Sequence, residues 1–157
     1  MERARRDALK TGAGASLLTL LAAAGWLKPE VAAAQAARNN AAFEARTIPD
    51  ALKAMGATGA GQSGDIAIQS PDIAENGAVV QVTITSKLPK TEQIAILIEK
   101  NPSVLAASFE ILPVSEPTVT TRVKMGQTSN VYALVKADGK FVTAVKEVKV
   151  TLGGCGG

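Results

Sequence analysis

The sequence predicts an all-β protein, an immunoglobulin-like antiparallel β-sandwich with a short N-terminal helical segment and a flexible C-terminal arm. Three observations favour this fold class. After residue 64 the chain contains seven short β-type runs with no helical pattern between them. Apolar and polar residues alternate along these runs, and turn dipeptides separate several of them. The chain has a single cysteine, so the disulfide of antibody domains is absent, and a five-stranded barrel is the structural alternative.

Residues 1–34 have the composition of an export signal. A positively charged head that includes Arg5 and Arg6 precedes an apolar stretch from about Gly12 to Leu27, and the small residues Ala32 and Ala34 fit a signal-peptidase site. The arginine pair and its surroundings resemble the twin-arginine signature. We therefore expect a twin-arginine-type signal peptide over residues 1–34 and a mature protein in the bacterial periplasm. An amphipathic or buried N-terminal helix is the alternative.

Residues 35–64 predict a helical N-terminal segment followed by a glycine-rich linker. The stretch from Gln35 to about Arg46 is rich in alanine, and Thr47 is a candidate N-cap for a short helix that should stop at Gly56. Residues 56–64 contain four glycines and lack the Lys-Ser/Thr ending of a phosphate-binding loop. The helices carry an apolar stripe that predicts packing against the main domain, with docking on a partner as the alternative. The stripe consists of Phe43, Ile48, Leu52 and Met55.

Residues 65–152 predict the sandwich itself. Apolar residues at every second position of the second and third runs predict strands with one buried and one solvated face. The seven runs span residues 65–69, 78–86, 93–99, 104–111, 118–125, 130–137 and 140–152. Turns are predicted at Asn76-Gly77, at Asn101-Pro102 and, as a hairpin, at Asp138-Gly139.

The last run should anchor the C-terminal arm to the sandwich. Its predicted inward side consists of Val142, Ala144, Val148 and Val150. Its charged residues indicate a solvated or partner-facing side, and they are Lys146, Glu147 and Lys149.

Composition argues against nucleic acid and membrane partners. Aromatic residues make up only 3% of the chain, so there is no platform on which bases could stack. Five of the 17 basic and three of the 14 acidic side chains precede residue 35, which leaves 12 basic and 11 acidic side chains in the mature protein. A mature chain this close to neutrality is not typical of proteins that bind polyanions or, after signal removal, a membrane surface.

The chain ends in Leu152-Gly153-Gly154-Cys155-Gly156-Gly157, and Cys155 is its only cysteine. The neighbouring glycines give this arm wide backbone freedom and a small cross-section, which suits entry into a narrow pocket. A nucleophilic thiol needs a base or a cationic neighbour, but the chain has no histidine and glycines contribute no side chain. We therefore predict that Cys155 is a covalent attachment site presented to other enzymes. The glycines that provide the arm's flexibility are Gly153, Gly154, Gly156 and Gly157, and we expect no cofactor and no metal site.

These features together resemble the SoxY family, the sulfur-carrier subunits of the periplasmic thiosulfate-oxidising Sox system. The resemblance covers essentially the whole chain, and the Gly-Gly-Cys-Gly-Gly ending combined with an export signal is its most specific part. Two positions depart from it. Gln81 stands where we expect proline and would let an edge strand pair differently, and Lys124 stands where arginine is frequent and removes a bidentate donor. The internal segments that carry the resemblance are 48–52, 73–77, 99–102 and 121–125.

The resemblance implies a covalent carrier rather than a catalyst. It implies a SoxZ-type subunit as the partner in a heterodimer and a c-type cytochrome that couples thiosulfate to Cys155. It further implies a dimanganese hydrolase that removes the terminal sulfone as sulfate, and a sulfane dehydrogenase that oxidises the sulfur left on the cysteine.

Other interpretations remain open at the level of the sequence. The chain is alternatively an exported binding or adhesion module whose tail cysteine forms an interchain disulfide. An autonomous thiol oxidoreductase is disfavoured because a second cysteine and a base are missing. Arg122 and Lys124 share a strand face that either meets an anionic partner or is an ordinary charged surface. Asn101-Pro102 is interpreted as a turn rather than a site.

Overall fold

The computed structural model describes residues 39–151 of the chain. This part contains two short helices, α1 (Asn40–Glu44) and α2 (Ile48–Ala54), and nine strands. The strands are β1 (Gly61–Gln62), β2 (Ile66–Gln69), β3 (Ile73–Ala74), β4 (Val80–Ser86), β5 (Thr91–Ile98), β6 (Leu105–Glu110), β7 (Thr118–Val123), β8 (Ser129–Ala137) and β9 (Lys140–Val150).

The strands form two sheets that pack on each other as a sandwich. The larger sheet has the order β1-β9-β8-β5-β6, with β3 also paired to β9, and the smaller sheet has the order β2-β4-β7. Apolar residues from both sheets make one buried cluster, including Val82 and Ile84 from the smaller sheet and Ile96 and Val135 from the larger one. Two separate sheets confirm the predicted sandwich and rule out the five-stranded barrel.

The seven predicted strands are all present, as β2 and β4 through β9, and the pairings among them are antiparallel. Two further strands escaped prediction. β1 and β3 have only two residues each, and both run parallel to β9 along the same edge of that strand. A two-residue strand is too short to show alternation, so no local pattern indicates it.

The predicted β8–β9 hairpin is confirmed. Asp138 and Gly139 both have positive φ, 49° and 73°, as the two central residues of a type I′ turn require. Ala137 and Lys140 are paired directly on either side of them. The turn fixes the register of the two longest strands of the described chain, and therefore the position at which β9 ends.

The second helix follows the predicted capping pattern. Thr47 is its N-cap, and the Thr47 hydroxyl accepts a hydrogen bond from the Asp50 N–H at 3.3 Å. Gly56 has a φ of +72° just after the helix, and the next N–H, that of Ala57, donates to the Leu52 carbonyl at 2.7 Å. This is the glycine-terminated Schellman arrangement.

The two helices cover the outer face of the larger sheet. Ala42 and Ala51 are fully buried in a second cluster together with Ala95 and Leu97 of β5 and Leu134 of β8. The apolar stripe of the helices packs against this cluster, which confirms packing rather than partner docking for Phe43, Ile48, Leu52 and Met55. The expectation of a solvated face was correct for β4 but wrong for β5, because the helices bury the residues between its isoleucines.

Candidate functional site

The end of β9 is the part of the described structure that leads to the C-terminal arm. Cys155 and its glycine neighbours Gly153, Gly154, Gly156 and Gly157 lie outside the described residues, as do Arg5 and Arg6 of the predicted signal. The structure therefore shows how the chain is held up to Thr151. We refer to residues 149–151 as the arm root.

The predicted inward residues of β9 do anchor it. Val148 is fully buried in the main core cluster, and Val142, Ala144 and Val150 pack against that cluster as partly buried residues. These contacts fix the strand along most of its length, so the arm root has a defined position relative to both sheets.

One edge of the arm root is held by β3 and the residue before it. The Lys149 N–H donates to the Asp72 carbonyl at 3.0 Å, and the Thr151 N–H donates to the Ala74 carbonyl at 3.1 Å. β3 runs parallel to β9, and hydrogen bonds from alternate residues to one neighbour are the pattern expected of such a pair. The backbone is thus held in an extended conformation up to Thr151.

The other edge of the arm root contacts the loop before β8 and the turn before β4. The Val150 N–H donates to the Thr128 hydroxyl at 3.0 Å. Gly77 lies so close that a Cβ built on it would be 2.8 Å from Val150 Cγ1 and 2.3 Å from the Met125 carbonyl oxygen. Loops from both sheets therefore meet at the arm root.

The sequence predicts Lys146 on a solvated or partner-facing side of β9, and this prediction is wrong. Its ammonium forms an ion pair with Asp72 at 2.9 Å and donates to the Ser70 carbonyl at 2.7 Å. Lys146 alternates with Glu147 and Lys149, so it projects from the opposite side of β9. Its position in β9 lies between the residues paired with β1 and those paired with β3, and a charge placed there disfavours pairing with a further strand. The exposed charges of the strand's last third are Glu147 and Lys149.

Two large apolar residues near the arm root are exposed. Ile73 is 57% exposed and lies opposite Lys149 in the β3–β9 pairing. Val79 is 54% exposed and lies in the turn that contains Gly77, which the Val79 N–H closes by donating to the Asn76 carbonyl at 3.2 Å. Apolar side chains of this size that remain more than half exposed are candidates for contact with another protein.

Arg122 and Lys124 are both exposed, but only Arg122 lies on the outer face of the smaller sheet, because β7 ends at Val123. Arg122 lies opposite Gln81, whose strand β4 is the central strand of that sheet. The expectation that Gln81 alters an edge strand was therefore wrong. The predicted turn at Asn101-Pro102 is present, with the Asn101 N–H donating to the Ile98 carbonyl at 3.2 Å and its side chain donating to the Lys124 carbonyl at 2.7 Å.

The opposite end of the sandwich carries a cleft of about 510 Å³ between the β4–β5 and β6–β7 connections. Glu92 lies in its wall, and hydrogen bonds from the Lys136 ammonium and the Gly139 N–H hold the pKa of Glu92 below its ordinary value. In turn, the hydrogen bond to Glu92 and the negative charge of its carboxylate raise the pKa of Lys136. This end lies at the β8–β9 hairpin, the full length of β9 away from the arm root.

Among residues 39–151, no group of three or more histidine, cysteine, aspartate or glutamate side chains is placed to hold a metal ion. Within the same residues, neither helix has the length and apolar character needed to cross a membrane.

Comparisons with known proteins agree with this architecture. A family model described as "Sulfur oxidation protein SoxY" matches residues 52–155. The solved structure of the sulfur carrier protein SoxY from Chlorobium limicola f thiosulfatophilum is 42% identical, with a TM-score of 0.62, and the match covers 69% of this chain and 96% of that one. A search of curated proteins gave no match.

Two further structural matches show the fold alone. Superoxide reductase (neelaredoxin) from Ignicoccus hospitalis matches at 19% identity with a TM-score of 0.50, covering 55% of this chain and 80% of that one. Its E23A variant matches at 21% identity with the same TM-score, covering 63% and 87%.

Proposed function

The chain belongs to the SoxY family of sulfur oxidation proteins, and from this we propose that it is a sulfur carrier that holds thiosulfate-derived intermediates covalently on Cys155. One observation carries the proposal. The family match extends through the end of β9 and stops at residue 155, which is the only cysteine of the chain. The 42% identical SoxY structure is that of a sulfur carrier protein.

The proposed loading reaction is an oxidative coupling of two sulfur atoms. The Cys155 thiol and thiosulfate form a sulfur–sulfur bond, one proton leaves, and two electrons pass to a c-type cytochrome. The product is a cysteine S-thiosulfonate. Water then cleaves its terminal sulfur–sulfur bond, releasing sulfate and one proton and leaving a persulfide on Cys155. A dimanganese hydrolase carries out this second step, and a sulfane dehydrogenase oxidises the persulfide sulfur.

The chemistry is assigned to partner enzymes because the chain itself supplies little activation for the thiol. It has no histidine, and the residues on either side of Cys155 are glycines. A nearby base or positive charge raises the fraction of a thiol that is present as thiolate. What the described structure does supply is a fixed origin for the arm, held on both edges by Ala74 and Thr128. Tethering also replaces repeated capture of a small anion with delivery at high effective concentration.

The proposal also includes where the protein is located in the cell and which subunit it assembles with. We propose that residues 1–34, with Arg5 and Arg6, direct export of the folded protein to the periplasm, and that residues 153–157 form the carrier arm. A SoxZ-type subunit is the proposed partner in a heterodimer. A purified mature chain that remains monomeric in the presence of a co-expressed SoxZ-type subunit would contradict the heterodimer.

Intact-mass analysis of protein isolated from cells oxidising thiosulfate tests the carrier function. We expect mass additions corresponding to a thiosulfate unit or to single sulfur atoms on the wild-type chain, and none on a Cys155→Ser variant. An unmodified wild-type chain during active thiosulfate oxidation would refute the proposal. A stable disulfide-linked dimer on non-reducing gels, abolished by Cys155→Ser while sulfur oxidation continues, would instead favour the exported binding module.

A further inference from the structure

Asn76 and Gly77 form the only Asn-Gly pair in the chain, and they lie in the connection between β3 and β4. An asparagine side chain followed by glycine can react with its own main chain, because glycine has no Cβ to obstruct the approach of its nitrogen. The sequence alone makes this reaction possible in an unfolded chain. Whether folding blocks it depends on the hydrogen bonds of three groups: the attacking nitrogen, the carbonyl that it attacks and the amide that leaves.

The attacking group is the Gly77 N–H, and folding leaves it free. No hydrogen bond of this N–H is present among residues 39–151, and Gly77 is held instead through its carbonyl, which accepts from the Met125 N–H at 2.7 Å. The Asp138-Gly139 pair shows the contrast. There the Gly139 N–H donates to the Glu92 carboxylate at 3.0 Å, so its nitrogen is already engaged.

The carbonyl under attack belongs to the Asn76 side chain, and a main-chain donor points at its oxygen. The Ala78 N–H donates to Asn76 Oδ1 at 3.0 Å. Negative charge develops on this oxygen when the Gly77 nitrogen bonds to Asn76 Cγ, and a donor already in place stabilises that charge. The Val79 N–H closes the turn by donating to the Asn76 main-chain carbonyl at 3.2 Å, which keeps the donor and the side-chain carbonyl together.

The amide that leaves is unrestrained at Asn76. The side-chain nitrogens of Asn39, Asn101 and Asn130 each donate a hydrogen bond, at 2.7, 2.7 and 2.9 Å. Within the part of the chain that the structure describes, the Asn76 side-chain nitrogen has no such acceptor, and the residue is exposed. Asn40 is exposed as well, but alanine follows it in place of glycine.

We propose that Asn76-Gly77 is a site of spontaneous deamidation and isoaspartate formation in the folded protein. The Gly77 nitrogen bonds to Asn76 Cγ, the Cγ–Nδ2 bond breaks, and the displaced nitrogen takes the Gly77 amide proton and leaves as ammonia. Water then opens the cyclic succinimide. Cleavage between the ring nitrogen and Cγ gives aspartate, whereas cleavage between the ring nitrogen and the main-chain carbonyl carbon gives isoaspartate.

Isoaspartate lengthens the main chain by a methylene group at a tightly packed position. A Cβ built on Gly77 would lie 2.3 Å from the Met125 carbonyl oxygen and 2.8 Å from Val150 Cγ1, so Gly77 has little space in which to move. The inserted group strains the turn and the hydrogen bond from Met125 to Gly77. Because Val150 packs directly on this turn, we expect the modification to loosen the arm root.

The test follows the purified mature protein in mildly alkaline buffer, both folded and unfolded in guanidinium chloride. Peptide mass spectrometry measures the replacement of amide nitrogen by oxygen at each asparagine, and a protein isoaspartyl methyltransferase labels isoaspartate. We expect Asn76 in the folded protein to react at no less than about a third of its rate in the unfolded chain, because folding leaves its reacting groups accessible. A lower rate, or conversion at Asn40 as fast as at Asn76, would overturn the proposal.

Two variants isolate the consequence of the modification. Asn76→Asp has the charge of the aspartate product with a main chain of normal length. Asn76→Ser lacks the reacting amide but keeps an oxygen that can accept from Ala78. Wild-type protein aged until isoaspartate predominates should unfold at a lower temperature than Asn76→Asp, and its Val150 amide should exchange faster with solvent. Asn76→Ser should not change on ageing. Equal Tm for the aged wild type and Asn76→Asp, or an equal loss in Asn76→Ser, would overturn the effect on the arm root.

Discussion

Gly77→Ala is expected to loosen the arm root, and the structure allows the effect to be estimated. Gly77 has no positive φ, so its backbone conformation is open to alanine. The obstacle is space, because an added Cβ would lie 2.3 Å from the Met125 carbonyl oxygen and 2.8 Å from Val150 Cγ1. Real Cβ contacts essentially never fall below 3.0 Å, and the nearer atom belongs to the backbone and cannot swing away.

The backbone must therefore move, and the hydrogen bond from the Met125 N–H to the Gly77 carbonyl, 2.7 Å long, moves with it. Overpacking of this kind costs about 1–3 kcal/mol. A glycine-to-alanine change also stabilises the folded state by about 0.4–1 kcal/mol, because it restricts the unfolded chain. Gly126→Ala isolates this second effect, because Gly126 lies next to Met125 and its added Cβ would have no atom within 4 Å.

The difference between the two variants is thus the steric cost alone, about 1–3 kcal/mol, which for a domain of this size corresponds to roughly 4–12 °C in Tm. Thermal unfolding followed by circular dichroism measures it. Hydrogen exchange adds a local readout, because the amides of Val150 and Thr151 should exchange faster in Gly77→Ala. Equal Tm for Gly77→Ala and Gly126→Ala, or unchanged exchange at these two amides, would refute the reasoning.

Three further predictions concern the rest of the fold. Leu97→Ala should lower the free energy of unfolding by about 2–5 kcal/mol in urea titrations, since Leu97 is fully buried beneath the helices, and a loss below about 1 kcal/mol would contradict that cover. Thr47→Ala should cost about 0.5–2 kcal/mol by removing the N-cap, and Thr47→Ser should restore most of it. Glu92→Gln should be less stable than the wild type at pH 7, and the difference should shrink as the pH falls from 4.5 through the lower pKa of folded Glu92, because Lys136 and Gly139 stabilise the ionised carboxyl more strongly than a neutral one. Urea titrations at a series of pH values would check this, and an equally large difference below the folded pKa would be evidence against it.

Local patterns were sufficient to predict the long strands and the turn between β8 and β9. β4 alternates strictly, and the Asp138-Gly139 pair adopts the positive φ values that its residue types favour. The burial of a strand by segments distant in the sequence was not predictable from such local patterns. β5 reads as a strand with one solvated face, yet Leu97 on that face is buried by helices about fifty residues earlier in the chain. Nothing in β5 itself records which segment covers it.

The candidate site likewise has one part that local sequence patterns reveal and one part that depends on long-range contacts. Cys155 and its glycines are visible in the sequence, because a lone cysteine between glycine pairs is unusual. The arm root was not visible, since Thr151 is held by Ala74, 77 residues earlier, through a strand of two residues. Lys146 was assigned to the wrong side for a related reason. The charge pattern shows a lysine, but only the tertiary structure shows that Ser70 and Asp72 are there to receive it.

Where β9 stops being held determines how far Cys155 can lie from the sandwich. The hydrogen bonds to Asp72, Ala74 and Thr128 hold the strand up to Thr151, and Cys155 comes four residues later, so it lies at most about 14 Å beyond the last held residue. If the strand were released at Val145 instead, six more residues would add about 20 Å to this limit. The hydrogen bonds at the end of β9 thus keep the only cysteine of the chain close to the sandwich.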